Sequence, residues 1–239
     1  MQAVILAGGK GTRFGHLTKK IPKPMIKIGT KPIIWHILKH LTNQGVKEFI
    51  ICTGYKHKIL NNYFASLNEK WKINCVFTGL NTLTGKKIEK IEKYIKDDNF
   101  LMTYGDGVSD INLKKLLKTH IKKNKMATVT AVSPIPRFGS LKISKSIVTK
   151  FSEKPKESKN LINGGFFILK KQIFEFLDLS KNVMWEQDPM LQLTKTKQLA
   201  AYIHKNFWHP IDTERDQKYV NNLIKKKLYC FKYEKKITK

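Results

Sequence analysis

A five-residue apolar run, Ala3-Val4-Ile5-Leu6-Ala7, breaks without transition into Gly8-Gly9-Lys10-Gly11-Thr12-Arg13, and Pro22-Lys23-Pro24-Met25 follows. The run reads as a short buried strand. Glycines directly after it let the main chain approach a ligand closely and take positive φ at little cost. Bare N–H groups and cations then meet at one point, which is the chemistry of a phosphate site. Two familiar phosphate loops are excluded. Arg13 stands where G-x-x-x-x-G-K-[ST] needs its second glycine, and Phe14 stands where G-x-G-x-x-G needs its last.

Alternating strand-like and amphipathic segments follow, the pattern of an α/β sheet covered by helices. Met1–Leu6 opens as a strand. Pro32 begins a helix with Ile33, Ile34, Ile37, Leu38 and Leu41 at helical spacing, which Gly45 stops. Lys47–Cys52 and Ile73–Phe77 read as extended, and Lys56–Phe64, Lys87–Ile95 and Asn112–Lys123 as helical. Phe100–Tyr104 reads as a buried strand ending in Gly105-Asp106-Gly107, so Asp106 is expected on the same sheet edge as the glycine loop. Ala127–Val132 and Gly164–Leu169 are further strands, Leu141–Lys150 a hairpin, and a helix lies around Gln172–Leu177. We expect residues 1–224 to form one domain with a basic tail over 225–239.

At 239 residues the chain can bury one sizeable core. It has no run of eighteen apolar residues and no charged leader before an apolar stretch, so membrane insertion and secretion are not expected. Cys52, Cys75 and Cys230 are odd in number and widely spaced, as expected of thiols in a reducing cytoplasm. The formal net charge is +28, which by itself suits nucleic acid or an anionic surface. Its lysines are scattered, however, including along solvent faces such as Lys114, Lys115, Lys118, Lys122 and Lys123. A solvated basic surface, and no specific nucleic acid, is the expectation.

The glycine loop with Pro22-Lys23-Pro24-Met25 resembles the signature of the sugar-1-phosphate nucleotidyltransferases. Further segments carry the resemblance: Thr103-Tyr104-Gly105-Asp106-Gly107-Val108, Arg137-Phe138-Gly139, Glu153-Lys154-Pro155, Ile162-Asn163-Gly164-Gly165, Trp185-Glu186-Gln187 and Phe207-Trp208-His209-Pro210-Ile211-Asp212-Thr213. In this order, from about Met1 to about Asn222, they are similar to the branch that uses CTP and glucose 1-phosphate. The resemblance implies a Rossmann-like mixed, mostly parallel sheet flanked by helices, the nucleotide-diphospho-sugar transferase fold. It also implies transfer of a nucleotidyl group from CTP to a sugar 1-phosphate with release of pyrophosphate, using Mg2+. Relatives of the same fold that use GTP, UTP or dTTP, or another acceptor, stay open, as does a non-catalytic basic module that binds nucleic acid. Family members generally assemble, so a homo-oligomer is left open too.

Carried over residue by residue, the resemblance gives Arg13 and Lys23 catalytic roles. Leu6, Ala7, Gly8, Gly9, Lys10, Gly11, Thr12, Arg13, Lys23, Thr82, Lys87 and Gly105 form the nucleotide side. Arg13 suits a triphosphate because its planar fork grips two oxygens, whereas Lys23 is a compact point charge. Asp106 and Asp212 are assigned to the metal. By themselves they read as turn chemistry in Gly-Asp-Gly and as an N-cap before a helix. The sugar-phosphate side takes Arg137, Gly139, Glu153, Lys154, Asn163, Gly164, Trp185 and Glu186. Glu153-Lys154 also reads as a surface ion pair, Gly164-Gly165 as a bulge, Trp185 as core, and His209 as structural. Four departures stand out. Leu80 and Lys87 replace an aspartate and an arginine in the stretch Thr78–Lys87 where the base is expected, and Ile21 replaces a lysine. The segment between Phe64 and Thr78 is roughly twenty residues short for this branch, which bears on subunit contacts or base selection.

Overall fold

The computed structural model describes residues 1–134, 138–153 and 160–226. Seven strands form the central sheet: β1 (Ala3–Leu6), β2 (Glu48–Thr53), β3 (Lys72–Phe77), β4 (Asn99–Tyr104), β5 (Ala127–Val132), β6 (Ile162–Lys170) and β7 (Leu199–His204). Their spatial order is β7-β5-β6-β4-β1-β2-β3. Only β6 runs antiparallel to its neighbours in this sheet. The mixed, mostly parallel sheet expected from the sequence is present.

The apolar runs follow from burial on both faces. Successive side chains of a strand point to opposite sides. Thus Ala3, Ile5, Phe49, Ile51, Leu101 and Ile168 pack on one face, and Val4, Ile50, Cys52, Met102 and Phe167 on the other. Helix Ile33–Thr42, begun at Pro32, closes the first face with Ile34, Ile37, Leu38 and Leu41. Ile88, Ile91, Ile95, Trp185 and Leu193 close the second. After β1 the chain fills one side with β2 and β3, then returns to lay β4 on the other side of β1. In open α/β sheets such a switch point opens a crevice beyond the carboxyl ends of the strands.

Several expected boundaries move. The helix expected over Lys87–Ile95 is instead a helix at Thr84–Glu89 and a separate 3-10 turn at Glu92–Tyr94. Its start is set by a segment about a hundred positions away. Leu83 N donates to Asn182 Oδ1 (2.8 Å), Gly85 N to Val183 O (3.0 Å) and Trp185 N to Thr84 Oγ1 (2.8 Å). Strand β7 and the helices His16–Lys20 and Asp188–Lys195 have no counterpart among the expectations. The hairpin is present as Ser140–Ser144 and Ile147–Ser152. No helix among the described residues is long and apolar enough to cross a membrane. Most of the expected basic tail, 227–239, and Cys230 lie outside the described residues.

Candidate active site

The loop after β1 turns on Gly11, whose φ of 63° lies in the left-handed region, and a Cβ there would stand 2.8 Å from Lys23 Cβ. Only glycine fits both demands. Among the described residues no acceptor takes the N–H groups of Gly8, Gly9, Lys10 and Gly11. Thr12–Phe14 is a 3-10 turn, and Lys23 opens another at Lys23–Met25 after Pro22. Leu6, Gly9, Arg13, Lys23, Gly105 and Asp106 help line a crevice of about 220 Å³ at the β1/β4 switch point.

Asp106 and Asp212 meet there through a small ribbon. Gly107–Ser109 pairs antiparallel with Trp208–Pro210, and Ile211 N donates to Asp106 O at 2.8 Å. The residue after Ile211 is therefore delivered beside Asp106. Thr213 caps the helix Glu214–Lys225 in a capping box with Asp216. Burial works to raise the Asp216 carboxyl, but hydrogen bonds from Thr213 and from the backbone of Asp212 hold it below its ordinary value. Because Thr213 and Asp216 do the capping, the Asp212 side chain is left to pair with Lys23 and Arg13. Lys23 Nζ lies 2.5 Å from Asp212 Oδ1 and 2.7 Å from Asp106 Oδ2, while Arg13 Nη1 donates to Asp212 Oδ2 at 2.8 Å. Two carboxylates thus converge on one buried ammonium.

The second face of the loop meets Lys87, which is buried on its helix rather than carried by a surface loop. A Cβ on Gly8 would stand 2.8 Å from Lys87 Nζ, so the ammonium lies directly against the glycine loop. Burial lowers its pKa, with the neighbouring Cys52 thiol opposing the shift. No carboxylate pairs with it among the described residues. Thr82 stands half-buried just before this helix, packed against Gly79.

On the other flank, β6 bulges between Asn163 and Phe167 against β5, so the alternative reading of Gly164-Gly165 as a bulge is present. Gly165 has φ 82°, and a Cβ there would lie 2.6 Å from Cδ2 of Tyr104. Asn163 and Glu186 are exposed beside Tyr104, and Tyr104 Oη donates to Glu186 Oε1. Trp185 requires a correction. Its side chain is fully buried and packs edge-on against Phe167, so it forms core and offers no face to a sugar. Gly139 and Glu153 adjoin at the base of the hairpin, where a Cβ on Gly139 would stand 3.1 Å from Glu153 Oε2. Arg137 and Lys154 lie outside the described residues. His209 is buried, stacked on Tyr219 and 3.5 Å from Asp216 Oδ1, a packing role.

Tyr104 and Thr84 belong to this site without having been singled out. A hydroxyl at the last position of a buried strand, directly before Gly105-Asp106, was the available signal for Tyr104, because a buried phenol needs a partner.

An open α/β sheet with free loop amides, two cations and paired aspartates at its switch point defines a protein that handles nucleotide phosphates. Residues 2–222 match the model of the nucleotidyl transferase family. The chain is 41% identical to glucose-1-phosphate cytidylyltransferase of Salmonella typhi over 95% of its own length and 96% of that protein. It is 30% identical to D-glycero-alpha-D-manno-heptose 1-phosphate guanylyltransferase of Aneurinibacillus thermoaerophilus, over 94% of this chain and 100% of that one. HddC from Yersinia pseudotuberculosis, solved with GMP-PN, superposes with a TM-score of 0.73 at 27% identity, covering 93% of this chain and 99% of that one. The chain belongs to the nucleotidyl transferase family.

Proposed function

We propose that this chain transfers the cytidylyl group of CTP to a sugar 1-phosphate, glucose 1-phosphate first among them. A phosphate oxygen of the sugar attacks the α-phosphorus, the bond from that phosphorus to the bridging oxygen breaks, and pyrophosphate leaves with the electron pair. The observation that carries this reading is the meeting of Lys23, Asp106 and Asp212 beside the free amides of Gly8–Gly11. The 41% identity to the Salmonella typhi cytidylyltransferase supports the choice of base and sugar.

Such a transfer needs alignment and charge neutralisation more than a proton carrier. The loop amides and the exposed guanidinium of Arg13 hold the triphosphate. Lys23 follows charge on the α-phosphate. Lys87 and Thr82 serve the nucleotide side, with Asn163, Gly164, Glu153 and Glu186 on the sugar side together with Arg137, Gly139 and Lys154. Asp106 and Asp212 suit magnesium, since both offer hard oxygen donors and already converge on a single cation. A magnesium ion held by this pair supplies Lewis-acid screening of the phosphate charge.

Incubating the purified protein with Mg2+, glucose 1-phosphate and each of CTP, GTP, UTP and dTTP tests the proposal. Pyrophosphate release with CTP is expected, and release only with another triphosphate overturns the cytidylyl assignment.

A further inference from the structure

Two sets of hydrogen bonds anchor the exposed residues Asn163 and Glu186 beside Tyr104. Gly165 N donates to Asn163 Oδ1 at 2.8 Å. The amide oxygen is thereby occupied, and Asn163 is held at the bulge whose Gly165 packs against the Tyr104 ring. Tyr104 passes its own proton on to Glu186 Oε1, while Thr84 Oγ1 donates to Glu186 Oε2 at 2.9 Å. Trp185 N in turn holds Thr84 Oγ1 at 2.8 Å. Glu186 only accepts, so each link to it has one donor and acceptor sense, and with Gly165 packed against Tyr104 the network has one orientation. It ties the end of β4, the β6 bulge, the start of helix Thr84–Glu89 and the loop before Asp188 into one unit.

The ring of Tyr104 can lie there only because Gly165 lacks a Cβ, which would come within 2.6 Å of it. Burial, and then the Glu186 carboxylate, raise the phenol well above its ordinary pKa, so it stays a donor. Glu186 has spent one lone pair on each oxygen and keeps acceptor capacity on both, and Asn163 offers its side-chain N–H groups. An acceptor carboxylate and a donor amide, both exposed and each anchored beside Tyr104, are suited to reading sugar hydroxyls.

We infer that Tyr104 is a positioning residue for the sugar acceptor, its hydroxyl locking Glu186 in place beside Asn163 for reading sugar hydroxyls. This rests on the nucleotidyl-transfer reading above and adds the element that sets sugar selectivity. Tyr104→Phe keeps the ring and deletes the link. It should raise KM for glucose 1-phosphate about tenfold, as expected for losing a hydrogen bond to a charged group. Its preference for glucose 1-phosphate over galactose 1-phosphate and mannose 1-phosphate should fall by a similar factor, with KM for the triphosphate unchanged.

Because Tyr104 acts through Glu186, the double variant Tyr104→Phe/Glu186→Gln should be no worse for the sugar than Glu186→Gln alone. Thr84→Val, which removes the second donor to Glu186, should shift the same sugar parameters. That variant and Glu186→Gln test the inference if Tyr104→Phe fails to fold. Unchanged sugar KM and selectivity in these variants overturn it, as does an equal rise in KM for both substrates, the mark of a merely structural role. The assay uses whichever triphosphate the wild type turns over, so a donor other than CTP overturns the cytidylyl assignment alone. A wild type that turns over no triphosphate with any hexose 1-phosphate overturns both.

Discussion

Lys23 Nζ lies 2.5 Å from Oδ1 of Asp212, a residue 189 positions further along the chain. Its ammonium also reaches Asp106, so removing it leaves two carboxylates facing one another across a crevice. Lys23→Met keeps the stem and deletes the charge. We expect turnover to fall by about three orders of magnitude, in line with the loss of a preorganised cation at a developing charge. Pyrophosphate release measures it, and a Lys23→Met enzyme within about threefold of wild type removes Lys23 from the chemistry.

Asp106→Asn and Asp212→Asn should each cut turnover by several orders of magnitude while the fold persists, because a metal clamp supplies several kcal/mol to the transition state. Manganese titration followed by electron paramagnetic resonance gives an independent readout. Each variant should bind the ion more weakly than wild type in the presence of nucleotide, and undiminished binding would exclude that aspartate as a ligand.

Gly11→Ala combines a strained backbone, φ 63°, with a Cβ only 2.8 Å from Lys23 Cβ. A left-handed non-glycine residue costs about 1–2 kcal/mol, and displacing Lys23 adds to it. A lower thermal midpoint together with a raised KM for the triphosphate is the expected outcome. An unchanged KM would mean that the loop does not hold the phosphates.

Acid should destabilise the protein through His36 and His120. Burial pushes each of them from 6.5 down to about 4, helped in His120 by the charge of Lys170. The unfolded chain therefore takes up these protons first as pH falls. Stability is full above 6.5 and is lost progressively towards 4. Urea midpoints should drop between pH 7.5 and pH 5, and His120→Gln should flatten the profile; equal midpoints at the two pH values would contradict the burial of both rings.

Encounter with the anionic substrates should depend on salt. With a formal net charge of +28, the field of the protein draws in a triphosphate, and added electrolyte screens it. Raising ionic strength should lower kcat/KM through slower association while leaving kcat near its starting value. A kcat/KM insensitive to salt would show that the scattered lysines do not steer.

Much of the scaffold was legible in the residues because its causes are local. A run such as Ala3–Ala7 can be buried on both sides only in a central strand, and Gly11 is demanded by its left-handed backbone. The helix from Leu113 is announced by Asn112, whose Oδ1 accepts from Lys115 N. The meeting of loop amides and cations proposed to take phosphate was legible for the same reason, lying within one stretch of chain. The start of the helix at Thr84 and the burial of Lys87 were not, because the first is set by segment 182–185 about a hundred positions later and the second by the distant glycine loop and Cys52.

By itself the sequence determined the strand, the glycine cradle and the chemical types gathered around it. Only the tertiary structure decided that Asp106, Asp212 and Lys23 share one point, and that Tyr104, packed on Gly165, holds Glu186. Pairing of Gly107–Ser109 with Trp208–Pro210 and the bulge of β6 create those meetings, and partners so distant in the chain leave no trace in local spacing.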